Sequence, residues 1–160
     1  MVVADKSRRS QAVNSILELH KLIGLNSIHG SPIELVLNWV KNLNPKVITT
    51  VEQEVDHNQA EFLDRFTEAL FYYSTMFDSL EAYYAQPKKG LARLYVNREI
   101  CNIVSCEGPT RTETHEPLEK WRDRLIRAGF KPLQMGPIAF EQARYCVEEK
   151  EGCLTLGWHG

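Results

Sequence analysis

Val13, Ile16, Leu17, His20 and Ile23 recur at three- and four-residue steps, which predicts a helix from Ser10 closed by Gly24. Asn26 to Gly30 reads as loop. Ser31-Pro32 is a helix start, with Ser at the cap and Pro in the first turn. Ile33, Val36, Leu37, Val40 and Leu43 then form one apolar stripe, and Pro45 closes that helix. Beta-branched residues dominate Lys46 to Glu52, which predicts a buried strand. The acidic loop Glu52 to Asn58 follows. A long helix, Gln59 to Ala82, carries Phe62, Phe66, Ala69, Tyr73, Met76, Phe77 and Leu80 at helical spacing. Pro87 to Gly90 breaks the chain, Leu91 to Cys106 reads as helix, and Gly108-Pro109 is another break. Glu116 to Ala128 is a helix with Leu118, Trp121 and Leu125 on one side, ended by Gly129. Lys131 to Met135 is a short strand and Ala139 to Arg144 a short helix. Tyr145 to Glu149 and Cys153 to Trp158 alternate across a Glu-Gly turn as a terminal hairpin. This order of elements predicts a single α/β domain, without repeats or low-complexity segments.

Composition narrows the class. Of the 160 residues, 43% are hydrophobic and 25% charged, which are globular proportions. A chain of this size buries roughly 70% of its unfolded surface and needs no disulfides for a core. Nineteen basic residues stand against 21 acidic ones, a net of -2, so an electrostatic grip on DNA by the whole domain is not expected. Apolar runs such as Ala69 to Tyr73 fall far short of the roughly 20 residues that span a bilayer. Charge in Met1 to Arg9 stands where a signal peptide has its apolar core, so no secretory signal is expected. Residues 1–9 are expected to be frayed. Cys101, Cys106, Cys146 and Cys153 are then expected to be free thiols in a reducing compartment.

Two groupings carry candidate chemistry. Glu52-x-Glu54-x-Asp56-His57 follows a strand, where α/β proteins bind ligands. Alternate residues of an extended chain face opposite ways, however, so these groups do not converge. A solvated, helix-capping loop is the expectation. Cys101 and Cys106 are five apart with His115 further on, a looser pairing than zinc sites use. Buried free thiols are expected instead, and no metal. There is no Gly-x-Ser-x-Gly, and no Gly-rich phosphate loop after a strand, so no catalytic or cofactor-binding residue is assigned. Leu19-His-Lys-Leu22-Ile23 is close to a Leu-x-x-Leu-Leu interaction box, and its leucines are expected to face the core. The Phe62, Phe66, Tyr73, Phe77 stripe is likewise core before interface. Lys88, Lys89, Arg93 and Arg98, with Tyr95 among them, form a modest basic cluster read as a solvated face.

Longer strings carry more. AVNSILELHKLIG (Ala12 to Gly24), PKVITTVEQEVDHN (Pro45 to Asn58), FLDRFTEALFYYSTMFDSLE (Phe62 to Glu81), REICNIVSCEG (Arg98 to Gly108), HEPLEKWRDRLIRAGF (His115 to Phe130) and VEEKEGCLTLGWH (Val147 to His159) stand in that order. Together they resemble the carboxyl-terminal half of the plant GRAS regulators, nearest the DELLA branch of gibberellin-signalling repressors. The family's second leucine-rich region resembles the Leu17 to Ile23 segment, with Leu19 and Leu22. Its Pro–Phe-Tyr–Arg-Glu motif resembles Pro45, then the Phe62 to Tyr73 helix, then Arg98 and Glu99. Which Phe and Tyr of that helix name the motif stays open, and Phe62 and Tyr72 are taken here. Trp121 and Gly129 fit the Trp and Gly of the terminal motif, and Leu156-Gly-Trp158 fits its Leu-x-Trp element.

The resemblance implies a partial Rossmann-like, methyltransferase-type sheet with flanking helices and a carboxyl-terminal hairpin, spanning residues 10–160. It implies a nuclear transcription co-regulator and not an enzyme. Its partners would be DNA-binding transcription factors, other nuclear regulators and other GRAS proteins, with no cofactor, no membrane and no direct grip on DNA. The family's receptor-binding region, with its Asp-Glu-Leu-Leu-Ala signature, has no counterpart here, so hormone-receptor binding is not expected. Neither is the final Ser-Ala-Trp element present, which marks a truncated or non-functional member as one alternative. The other is a methyltransferase-like enzyme using S-adenosylmethionine, supported by fold analogy alone.

Overall fold

The computed structural model describes residues 12–24, 31–83, 89–133, 147–150 and 153–156. The elements in chain order are β1 (Ala12–Ile16), a 3-10 turn (Leu19–Leu22), α1 (Pro32–Asn42), β2 (Val47–Val51), α2 (Phe62–Tyr83) and α3 (Lys89–Ser105). A second 3-10 turn (Gly108–Thr110), α4 (Leu118–Arg127), β3 (Val147–Lys150) and β4 (Cys153–Leu156) complete them.

The first element corrects the sequence reading. Ala12 to Ile16 is a strand, not a helix, and it pairs in parallel with β2 from Ala12 opposite Val47 to Ile16 opposite Val51. Asn14 and Ser15 are weak helix formers, and pairing along a neighbouring strand outweighs a helix they would support poorly. Leu17 leaves the strand at φ +52, and its N–H donates to Val51 O at 2.7 Å. The spacing that looked helical is therefore shared between a strand (Val13, Ile16), the turn after it (His20) and the residues beside that turn (Leu17, Ile23). Strand β2 lies where expected, but it is not buried: Val47 and Val51 are exposed and Ile48 is half-buried. Among the described residues only β1 pairs with it.

Helix α1 follows its pattern closely. Ser31 stands extended at the N-cap and Pro32 occupies the first turn. The Ser31 hydroxyl caps nothing, however; it turns back to donate to Leu22 O at 2.9 Å and to Ile23 O. Ile33, Leu37 and Val40 are buried at four- and three-residue steps. After Leu43 the chain turns at Asn44, φ +51, and Pro45 leads into β2. Ile33, Leu37, Ile23 and Trp121 form one apolar cluster, with Leu19, Leu22, Ile48, Leu125 and Ala128 packed around it.

A second cluster lies between α2 and α3, where Ala69, Tyr73, Val96 and Ile103 are buried and Tyr72, Met76, Phe77, Leu80 and Ile100 pack against them. Buried Arg65 ties the two helices. Its Nε donates to Ile103 O at 3.0 Å, its Nη1 to Gln59 O at 3.1 Å, and it pairs with Glu107. The start of α2 departs from the expected core stripe: Phe62 and Phe66 are exposed and stack on each other, with ring centroids 5.9 Å apart. Helix α4 ends at Ala128, and Gly129 turns the chain at φ +85 so that Phe130 N–H reaches Leu125 O at 3.0 Å. The hairpin forms as expected, Val147 opposite Leu156 through Lys150 opposite Cys153. Of the strand expected at Lys131 to Met135, Lys131 to Leu133 is exposed and not a strand, and the rest lies outside the described residues. The short helix at Ala139 to Arg144, the frayed start and Trp158 lie outside the described residues.

Candidate functional site

Between the two apolar clusters the molecule is polar. The loop after β2, the Leu19–Leu22 turn and the segment from Arg111 to Glu116 bring His20, His57, Thr114 and His115 into contact, each 1% exposed or less. The last segment is neither helix nor strand, so side chains satisfy much of its backbone. Asn102 Oδ1 accepts from Thr112 N at 2.8 Å and Glu113 N at 2.9 Å. Asn58 Nδ2 donates to Thr114 O at 3.2 Å and His115 O at 3.1 Å, and Thr114 Oγ1 donates to His20 O at 2.5 Å. Arg111 Nη1 donates to His57 O at 2.7 Å.

His20 is the centre of charge. Its Nδ1 donates to Glu52 Oε2 at 3.0 Å and its Nε2 to Glu113 Oε2 at 2.7 Å. Burial alone would lower its pKa, but the bonds from Glu113 and Glu52 outweigh burial and push it up to about 9. At neutral pH His20 is thus an imidazolium held between two carboxylates. Burial pushes the Glu113 carboxyl up, yet the His20 hydrogen bond wins and holds it below the ordinary range.

The other two histidines are neutral. Burial, then the neighbouring His20 charge, pushes His115 down to about 2, and burial, then the Arg111 and His20 charges, pushes His57 down to about 4 against the opposing Asp56 charge. His57 Nδ1 and His115 Nδ1 are 2.9 Å apart, so one donates to the lone pair of the other. His115 stacks on His20 with ring centroids 4.1 Å apart, and His57 stacks on Tyr73 at 5.6 Å. That second stack joins the network to the α2–α3 cluster. Tyr73 OH donates to Glu99 Oε2 at 3.1 Å, and Gln53 Nε2 donates to the same oxygen at 3.3 Å. Burial, then the Glu99 charge, pushes the Tyr72 hydroxyl up to about 12 and Tyr73 higher still.

The acidic loop both keeps and breaks the expectation. Alternation holds: Gln53, Val55 and His57 are buried, and Glu54 is exposed. Glu54 does cap a helix, accepting from Leu118 N at 2.8 Å, but it caps α4, not the following α2. Asp56 accepts from Asn58 N at 3.0 Å and from Lys120 Nζ at 3.0 Å. His57 is not solvated. Convergence comes from His20 and His115, which lie far off in sequence and carry no local signal. The loose Cys101, Cys106, His115 grouping does not assemble: Cys101 is exposed, not a buried thiol, and Cys106 is half-buried just beyond α3.

The residues picked from family motifs spread over the fold. Leu19 packs on the α1 core, and its N–H donates to Glu52 Oε1 at 3.0 Å. Leu22 packs beside it, so the Leu-x-x-Leu segment faces the core as expected. Trp121 is buried there too. Tyr72 meets His57 edge-on at 5.7 Å, and Glu99 accepts from Tyr73, so both border the buried network. Phe62 is exposed, and Arg98 lies on the surface at the rim of a cavity of about 530 Å³ that also touches Glu99 and Glu113. Gly129 O accepts from Lys41 Nζ at 2.6 Å, joining α1 to the end of α4. Pro45 is half-buried before β2, and Leu156 ends β4. In the basic cluster, Arg93 is already paired with Glu81 at 2.9 Å.

A small parallel sheet flanked by helices, with a buried ionic network between its apolar clusters, defines a mixed α/β fold. The chain belongs to the GRAS domain family, whose profile matches residues 6–160. It is 52% identical over 161 residues to Protein SLENDER RICE1-LIKE 1 of Oryza sativa subsp. japonica, covering 93% of this chain and 32% of that protein. It is 48% identical to DELLA protein 2 of Medicago truncatula, over 94% of this chain and 30% of that protein. Against DELLA protein GAI of Arabidopsis thaliana the identity is 47%, over 94% and 30%. The crystal structure of SCL7 in Oryza sativa superposes with a TM-score of 0.80 at 31% identity, covering 92% of this chain and 44% of that one. The chain spans about a third of the length of the curated relatives it matches.

Proposed function

We propose that this chain is part of a plant nuclear transcription co-regulator of the DELLA type, acting through protein–protein contacts and not as an enzyme. Identity near one half to proteins named DELLA supports the family side of this reading. One structural observation carries the contact mechanism: Phe62, Leu63, Phe66, Leu70 and Phe71 of α2 all stand exposed, and so do Leu35 and Trp39 of α1. Apolar side chains gathered on a helix surface favour association with another protein. Partners of the expected chemistry are DNA-binding transcription factors, other nuclear regulators and other GRAS proteins. The net charge of -2 supports a bridging role over a direct grip on DNA. The parallel β1–α1–β2 unit supports the Rossmann-like, methyltransferase-type reading of the sheet.

The test tethers the whole chain to a reporter promoter through a heterologous DNA-binding domain in plant protoplasts. A co-regulator changes reporter transcription at least several-fold, and Leu63→Glu with Phe71→Glu reverses most of that change without unfolding the chain. An unchanged reporter, with the fusion in the nucleus, overturns the reading.

A further inference from the structure

The buried network has a bonding capacity that its hydrogen bonds leave unused. His115 is fully buried, and its Nε2 has no hydrogen-bond partner. The Glu113 Oε2 that accepts from His20 lies 3.9 Å from that nitrogen. His20, Glu113 and His115 each offer a ligand atom, and these atoms all lie within 4.8 Å of one another. We propose that His20, Glu113 and His115 bind a divalent transition-metal ion of the zinc type.

The distances bracket what such an ion needs. Tetrahedral zinc, with bonds near 2.0–2.2 Å, sets its ligand atoms about 3.3 Å apart. The His20–Glu113 separation of 2.7 Å must open, and the His115–Glu113 separation of 3.9 Å must close, each by roughly half an ångström. The His20 and His115 ligand atoms, within 4.8 Å of each other, must draw together as well, and the two rings, now stacked with centroids 4.1 Å apart, must turn about their side-chain torsions so that both lone pairs point at the ion. Two imidazoles and one carboxylate suit zinc better than calcium or magnesium, which prefer all-oxygen sites. Three protein ligands leave the fourth position for water.

The surroundings orient both rings. A metal-ligating histidine donates its other ring N–H to a fixed partner. His20 Nδ1 has Glu52 Oε2 at 3.0 Å for that purpose. His115 Nδ1 has His57 Nδ1 at 2.9 Å, and when His115 is the donor of that pair its Nε2 carries the lone pair. Glu52 and His57 are therefore positioning residues. Charge also favours the ion. Within the His20, Glu52 and Glu113 group, two carboxylates around one imidazolium leave one negative charge that Lys21 and Arg98 only partly offset from outside, whereas a divalent ion in place of the His20 Nε2 proton leaves none. Uncompensated buried charge is costly. Glu113 reaches the cavity lined by Asn102, Arg98 and Cys106, which gives an ion a route from solvent. A bound ion would join residues 93 positions apart in sequence.

The experiment uses the full, tag-free chain stripped with a chelator. Zinc is titrated against a chromophoric competitor, and cobalt(II) serves as the spectroscopic probe. One equivalent of zinc should bind at sub-micromolar affinity and raise Tm, and cobalt should give the strong visible bands of a tetrahedral site. His115→Ala should weaken binding about 100-fold or more. Should that variant fail to fold by circular dichroism, Glu113→Gln, which keeps a hydrogen-bonding side chain of the same size, should weaken it in the same direction. Replacing His29, His159, Cys101 and Cys106 together should leave the equivalent bound. Absence of stoichiometric zinc on the parent chain overturns the proposal. So does a folded His115 or Glu113 variant with parent affinity, or loss of the equivalent in the His29, His159, Cys101 and Cys106 variant.

Discussion

Single residues in this protein act through burial. Tyr73 is 2% exposed, and its hydroxyl is committed to Glu99. Its folded-state pKa, like that of Tyr72, is raised above the unfolded value near 10. The folded state then holds more protons than the unfolded state above pH 10. Stability from these groups is complete below pH 10 and is lost as pH rises above it. Tyr73→Phe should flatten the alkaline decline in Tm measured between pH 9 and 11, while costing stability at pH 7 because Glu99 loses a donor. A decline of unchanged slope would show that Tyr73 is not its source. Gly129 is a different case. Its φ of +85 is one that L side chains rarely adopt, and an added Cβ would meet Lys41 Cε at 3.4 Å. Gly129→Ala should lower stability by about 1 kcal/mol or more in urea melts. No loss of midpoint would mean that the turn relaxes without strain.

Elements are joined here by side chains reaching backbone ends. Arg65 of α2 satisfies Ile103 O near the end of α3 and Gln59 O before its own helix. Arg65→Met keeps the bulk and removes those bonds. It should cost roughly 2–4 kcal/mol, because buried carbonyls lose their donors. Chemical denaturation reads that difference directly, and a loss below 1 kcal/mol would mean that water replaces the guanidinium. Glu54 acts across a longer distance by capping Leu118 N at the start of α4. Glu54→Ala should cost about 1 kcal/mol. The loss should appear as faster amide exchange in the first turn of α4, with α1 unaffected; equal acceleration in both helices would argue for a global effect instead.

At the scale of the molecule, two modest apolar clusters flank an ionic centre, and much apolar surface stays outside. Exposed Leu63, Leu70 and Phe71 on α2, with Leu35 and Trp39 on α1, should make the chain self-associate at high concentration. Sedimentation velocity over a hundredfold concentration range should show the mean mass rising, and Leu63→Glu with Phe71→Glu should return it toward monomer. Invariance of mass in the parent chain would show that this surface is not sticky enough to carry protein contacts by itself. Because the attraction is apolar, added salt should not reverse it.

Much of this architecture could be read along the chain. Helices α1, α2, α3 and α4, strand β2 and the hairpin all carry local signals: a Ser-Pro start, apolar spacing, a closing glycine, alternation across a turn. Local patterns report local energetics, and in these segments tertiary contacts agree with them. Ala12 to Ile16 is the exception, since its helical spacing gives way to pairing with a strand 35 positions away. Burial of only part of the α2 stripe, and the exposure of β2, likewise depend on what packs nearby. The buried centre was legible only as scattered members, not as a centre. His20, His57 and His115 come from three separate segments; His57 and His115 stood out only in separate groupings and His20 only in an apolar stripe, and nothing local joins the three. Sequence by itself determined most of the elements and, through long ordered motifs, the family. Only the tertiary structure decided where charge is buried, because desolvation and convergence of distant side chains exist only once the chain is folded.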